Sequence, residues 1–296
     1  MKTEELPFTF ACRGETLLGI LHRPAESIRL GVLIVVGGPQ YRTGSHRQFV
    51  LLARKLAEAG IPVMRFDYRG MGDSTGTCIG FEGVDEDIAA AVDAFHERCP
   101  SLRGVILWGL CDGASAVLFF AHRDPRIRGI VLLNPWTRTV ESNAKTLLKH
   151  YYKARLVDRE FWRKLLRGKV SAMASVRSFL GMIRDAIGRS GAPSRGGNAP
   201  ASPVADSNSL PERLARGFRK FRGRVLLIMC GNDFTAREFD EIVRSSPAWR
   251  SLLDDPRVVR RDLPEADHTF ARAAWRAEVA RWTQAFVADI AERGIS

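Results

Sequence analysis

The chain has 296 residues, 45% of them apolar and 26% charged, with 45 Lys or Arg against 33 Asp or Glu for a formal net charge of +12. That balance is ordinary for a soluble globular protein with a large core, and it excludes a disordered or fibrous chain. Nothing in it approaches eighteen consecutive apolar residues, so no membrane-spanning segment is expected, and Met1-Lys2-Thr3-Glu4-Glu5-Leu6-Pro7 lacks the apolar core of a signal peptide.

In chain order, residues 7–12 and 15–22 are expected to form a hairpin around Arg13-Gly14. Leu30 to Val36 reads as a buried strand, and Gln48 to Ala59 as a helix with Phe49, Leu52, Ala53 and Leu56 on its apolar face. A strand over 61–66 is followed by a helix from Val84 to Arg98, whose first turn carries acids where the dipole favours them. Val105 to Trp108, Ile127 to Leu133, Val225 to Cys230 and Val258 to Leu263 read as further strands, with a helix closing the chain. Strands alternating with helices predict an α/β fold with a doubly wound, mostly parallel sheet.

Gly109-Leu110-Cys111-Asp112-Gly113 joins the apolar run Val105-Ile106-Leu107-Trp108 to the helical stretch from Ala114. It has the form of a G-x-S-x-G nucleophile elbow with cysteine in place of serine. Glycines two residues either side of Cys111 suit a turn too tight for larger side chains, and a helix N-terminus favours a thiolate. The same pentapeptide also suits a strand-to-helix connection carrying a buried cysteine. With no C-x-x-C pair, the remaining Cys12, Cys78, Cys99 and Cys230 are expected to be reduced thiols of a cytoplasmic protein.

Asp233 follows the strand ending at Cys230, and His268 follows the strand ending near Leu263. Nucleophile, acid and histidine in that chain order, each beyond the carboxyl end of a strand, are what a hydrolytic triad on an open α/β sheet needs. Asp240 is a remote alternative for the acid. Asp67-Tyr68-Arg69-Gly70-Met71-Gly72-Asp73-Ser74 matches a D-x-R-G-x-G-x-S segment beside the same sheet edge.

On these motifs the chain resembles the α/β-hydrolase superfamily. On Val36-Gly37-Gly38-Pro39-Gln40-Tyr41-Arg42-Thr43-Gly44-Ser45-His46-Arg47, Gly109–Ala116 and Gly231-Asn232-Asp233 it resembles the type-1 group of exosortase A system-associated hydrolases. The narrower resemblance implies a bacterial exopolysaccharide and protein-sorting context, without naming a substrate. Cys111, Asp233 and His268 are the expected catalytic residues, acting on an ester or thioester through an acyl-enzyme. An acyltransferase with the same triad and a non-catalytic binding protein remain open. The backbone N–H of Asp112 is expected to be one oxyanion donor. Gly37-Gly38-Pro39 stands where His-Gly-X is usual, and proline has no N–H, so Gly38 and Gln40 are the candidates for the second. Arg42, His46 and Arg47 are read either as a site for a phosphate or carboxylate on the substrate or as a polar loop leading to a helix cap at Ser45. No metal or nucleotide cofactor is expected.

Residues 137–222 hold 19 Lys or Arg against 6 Asp or Glu, leaving 26 against 27 for the rest. The resemblance implies a helical cap over the active site there, with the hydrolase core in 1–136 and 223–296. Between 190 and 211, 12 of 22 residues are Gly, Ser or Pro, which reads as a flexible segment. Amphipathic stretches in the basic insertion suit either a lid with a solvated basic face or a contact with an anionic membrane, an acidic acyl substrate or exosortase-system proteins. Nucleic acid is not an expected partner, because the aromatics there cluster with aliphatics rather than interleave with basic residues.

Overall fold

The computed structural model describes residues 3–37, 40–137 and 209–294. All but Ser209 belong to one compact unit drawn from both ends of the chain, Met1–Thr137 and Leu210–Ser296. Residues 138–208 of the expected cap, with its amphipathic stretches and most of the glycine- and serine-rich segment, lie outside the described residues.

Eight strands form one sheet in the order β1-β2-β4-β3-β5-β6-β7-β8. β1 (Thr3–Cys12) and β2 (Glu15–Pro24) pair antiparallel through a two-residue turn in which Arg13 and Gly14 both have positive φ, the geometry that matches strand twist. β2 also runs antiparallel to β4 (Val63–Phe66). From β4 onward the ladder is parallel through β3 (Leu30–Val35), β5 (Gly104–Leu110), β6 (Ile127–Leu133), β7 (Arg224–Asn232) and β8 (Val258–Asp267). β3 and β5 are buried along their whole length, which is why they read as unbroken apolar runs rather than alternating ones; β4 is equally buried but carries Arg65.

Helices α1 (Gln48–Glu58) and α2 (Asp85–Arg98) connect β3 to β4 and β4 to β5. The chain therefore leaves β3 for β4 on one side and returns to β5 on the other. The carboxyl ends of β3 and β5 flank this reversal, where open α/β sheets form their ligand crevice. α3 (Asp112–Phe120) leaves β5 at the same edge.

α4 (Leu210–Lys220) had no counterpart among the expected elements, because its stretch was grouped with the basic insertion on composition. Leu210, Leu214, Ala215 and Phe218 are nevertheless spaced to bury one face, while Arg213, Arg216 and Arg219 take the other. Phe218 packs edge-on against Trp249 at 5.9 Å, and the indole N–H of Trp249 donates to Pro211 at 3.2 Å. Trp249 lies on α6 (Pro247–Leu253), which follows α5 (Phe234–Ser245). α7 (Ala273–Glu292) is the expected last helix. No helix among the described residues is long and apolar enough to cross a membrane.

Candidate active site

Cys111 occupies the turn between β5 and α3 with φ 60° and ψ −126°, a backbone conformation that non-glycine residues adopt only where their surroundings enforce it. The enforcement is visible. The Cys111 N–H donates to Leu133 at 2.9 Å, and its carbonyl accepts from Ala114 at 3.0 Å and Trp136 at 3.2 Å. The Ser115 hydroxyl in turn holds the Trp136 carbonyl at 2.6 Å. A Cβ on Gly109 would sit 2.6 Å from the Gly113 carbonyl, and one on Gly113 would sit 2.6 Å from the Val35 carbonyl, so both flanking positions require glycine.

Asn134 extends the same support across the next strand. It is fully buried, has φ 43°, donates its N–H to Ile228 at 3.1 Å and accepts the Cys230 N–H at 2.9 Å through its side chain. Sequence reasoning passed over Asn134, Trp136 and Ser115. The available signal was an Asn directly after an apolar strand, a residue that tolerates left-handed backbone.

β7 and β8 bring the other two expected residues together. Their register shifts by two residues after the Cys230–Leu263 pair, so that Asn232 comes opposite Asp267. Asp233 and His268, the next residue on each strand, therefore emerge side by side. His268 Nδ1 lies 2.7 Å from Asp233 Oδ2. The other carboxylate oxygen of Asp233 accepts the Thr235 N–H at 2.8 Å, so the same side chain caps α5. Asp267 accepts the backbone N–H and hydroxyl of Thr269, each at 2.9 Å, and Phe270 is buried with φ 51°, which anchors the loop beyond His268.

The His268 pKa is pushed up to about 10, first by the bond to Asp233 and then by Cys111, against the opposing effect of burial. Asp240, the remote alternative acid, instead holds Arg260 at 2.8 and 3.1 Å. Among the other thiols, burial pushes Cys230 up to about 12 and raises Cys12 and Cys99, while Cys78 is exposed.

Asp112 opens α3, so its N–H belongs to the first turn of that helix, beside Cys111. Gly38 and Pro39 lie outside the described residues. Gln40 is half-buried, and its side-chain oxygen accepts the Ser45 N–H at 3.4 Å. Arg42 is occupied within the protein. It pairs with Asp67 and reaches Asp73 at 2.5 Å, while its N–H donates to Asp67 at 2.6 Å. His46 and Arg47 are exposed with φ of 51° and 57°. Ser45 caps no helix through its side chain; it lies in a short 3-10 turn that leads into α1. The D-x-R-G-x-G-x-S segment has a bracing role. Asp67 gathers Arg42 and the Asp73 N–H, Ser74 links the Asp67 carbonyl to Leu18, and Arg69 grips buried Asp87 with bonds of 2.7–3.1 Å. Among the described residues, no three His, Cys, Asp or Glu side chains gather as a metal site.

Comparison with known proteins places the chain among α/β hydrolases. The family model described as serine aminopeptidase, S33 matches residues 29–178, a span that includes Cys111 and stops short of Asp233 and His268. Human protein ABHD12B is 33% identical over 150 residues, 48% of this chain and 40% of that protein. The uncharacterized protein RP471 of Rickettsia prowazekii is 27% identical over 109 residues, 36% of this chain and 46% of its own length. The chain thus matches less than half the length of either relative. Among solved structures, Pyrococcus furiosus esterase Pf2001 superposes with a TM-score of 0.64 at 14% identity, covering 99% of this chain and 92% of that one. The likeness establishes the α/β-hydrolase fold.

Proposed function

Since the chain belongs to the serine aminopeptidase, S33 family of α/β hydrolases, we propose that it is an esterase- or thioesterase-type hydrolase whose nucleophile is Cys111. The observation that carries this reading is the His268 ring, bonded to Asp233 at 2.7 Å and acted on next by Cys111 at the elbow. With Nδ1 committed to Asp233, Nε2 is the nitrogen left to take the thiol proton. Cys111 attacks the acyl carbonyl, His268 returns the proton to the leaving alcohol or thiol, and water resolves the thioester. Asp233 keeps the ring oriented and stabilises its charged form. The Asp112 N–H is the first oxyanion donor, with Gly38 or Gln40 supplying the second.

The substrate is a small acyl ester or thioester. The resemblance of the Gly37, Cys111 and Asp233 segments to exosortase A system-associated hydrolases supports an exopolysaccharide-related setting. The basic stretch 137–222 is proposed to meet an anionic membrane or a partner of that system. Weakened, salt-insensitive sedimentation with anionic vesicles would count against that role.

Intact-mass analysis with short and medium acyl thioesters and p-nitrophenyl esters tests the reaction. An acyl adduct is expected on wild type, trapped in His268→Ala and missing in Cys111→Ala. Equal labelling of wild type and Cys111→Ala would refute the assignment. Product analysis with and without an added acceptor separates hydrolysis from transfer.

A further inference from the structure

We infer that Asn134 is a positioning residue that fixes the span between the nucleophile turn and the acid. Its side-chain carbonyl replaces a missing rung of the sheet and ties the strand bearing Asp233 to the segment that anchors Cys111. The inference rests on Cys111 and Asp233 serving one catalytic site.

Pairing of β6 with β7 ends at Leu133 and Ile228. Asn134 donates its N–H to the Ile228 carbonyl at 3.1 Å. In a regular parallel ladder its own main-chain carbonyl would then accept from Cys230, two residues farther along β7. At Asn134, however, φ is 43° and the backbone leaves the extended conformation. The Cys230 N–H is taken instead by Asn134 Oδ1, at 2.9 Å. β7 thus runs on to Asn232, held on its β6 side by a side chain where the ladder has stopped.

The turn away from β6 serves the nucleophile. Leu133, just before it, accepts the Cys111 N–H at 2.9 Å, and Trp136, just after it, donates to the Cys111 carbonyl at 3.2 Å. Main chain on both sides of Asn134 therefore grips Cys111, while its side chain grips Cys230, three residues before Asp233. Asparagine meets both demands, because it tolerates left-handed backbone and carries a second carbonyl. Asn134 and Cys230 are both buried, so loss of that acceptor leaves a buried N–H unsatisfied and frees the end of β7 to shift. Any displacement of Asp233 passes to His268, bonded to it at 2.7 Å.

The test is a double-mutant cycle on p-nitrophenyl acetate turnover. Asn134→Gly keeps the backbone freedom and removes the acceptor. It is expected to lower kcat about tenfold, with KM changed by less than about twofold. Asn134→Asp, which restores an acceptor oxygen, should recover most of that rate. In an Asp233→Asn background the further loss from Asn134→Gly should shrink to about twofold or less, since the group it positions is already disabled. Should Asn134→Gly fail to fold, Asn134→Ser, with a shorter acceptor, takes its place in the cycle. An acyl adduct on wild-type Cys111 together with equal losses in both backgrounds, or with an unchanged kcat in Asn134→Gly, overturns the role of Asn134 alone. A wild type that forms no adduct on Cys111 overturns the nucleophile assignment on which that role rests.

Discussion

His268 Nδ1 and Asp233 Oδ2 lie 2.7 Å apart although 35 residues separate them. The contact follows from the register shift that sets Asn232 opposite Asp267. Because Asp233 also caps α5, the acid is held from two directions before any substrate arrives.

This pair makes stability depend on pH in a defined direction. The folded-state pKa of His268 is about 10, against an ordinary 6.5. The charged pair contributes fully below about pH 6.5 and loses its contribution as pH rises through about 10. His268→Gln is expected to cost about 1–2 kcal/mol at pH 6, allowing for the partial exposure of the ring, and clearly less at pH 10.5. Urea denaturation at the two pH values measures the gap. A gap of equal size at both would show that folding does not raise the pKa of the imidazole.

The elbow glycines are predicted to be structural requirements. Gly113→Ala would place a methyl 2.6 Å from the Val35 carbonyl. The expected loss is about 2 kcal/mol, in the range of an overpacked core. A thermal melt within a degree of wild type would mean that the turn can open to accept the methyl.

Arg42 is predicted to act on stability before it acts on substrate. Its partner Asp67 is buried, and Arg42→Ala would leave that carboxylate uncompensated at a cost of about 3 kcal/mol. KM for anionic and neutral esters should change by the same factor. A selective rise in KM for anionic esters, with stability intact, would instead make Arg42 a substrate-binding group.

His22 supplies an acid-sensitive site far from the chemistry. Burial, and next the charge of Arg65, push its pKa down to about 4, and its Nε2 accepts the Arg65 Nε–H at 2.9 Å. The neutral ring contributes above pH 6.5, and that contribution is lost as pH falls through 4. His22→Gln, which can still accept from Arg65, should flatten the fall in stability between pH 6.5 and 4. An unchanged slope would assign that acid sensitivity to other groups.

Much of this was legible in the chain, for identifiable reasons. β3, β5, β6 and β7 lie within the sheet, so burial on both faces left continuous apolar runs with turn residues at their ends. The elbow was readable because its constraint is local, with two glycines and a nucleophile inside five residues. α4 was not, because its basic face dominates the composition of a strongly basic stretch and masks the apolar spacing of Leu210, Leu214 and Phe218. β8 was expected to stop near Leu263, because the polar residues beyond it look like a loop.

By itself, then, the sequence determined the order of the strands, the sharp turn at Cys111 and the succession of Cys111, Asp233 and His268. Each depends on periodicity or on steric rules acting within a few residues. Only the tertiary structure decided that Asp233, not Asp240, meets His268, that Arg42 is taken up by Asp67 and Asp73, and that Asp112 faces Gly37. Those choices depend on strand register and on contacts between residues tens of positions apart, where a shift of one or two residues exchanges one partner for another.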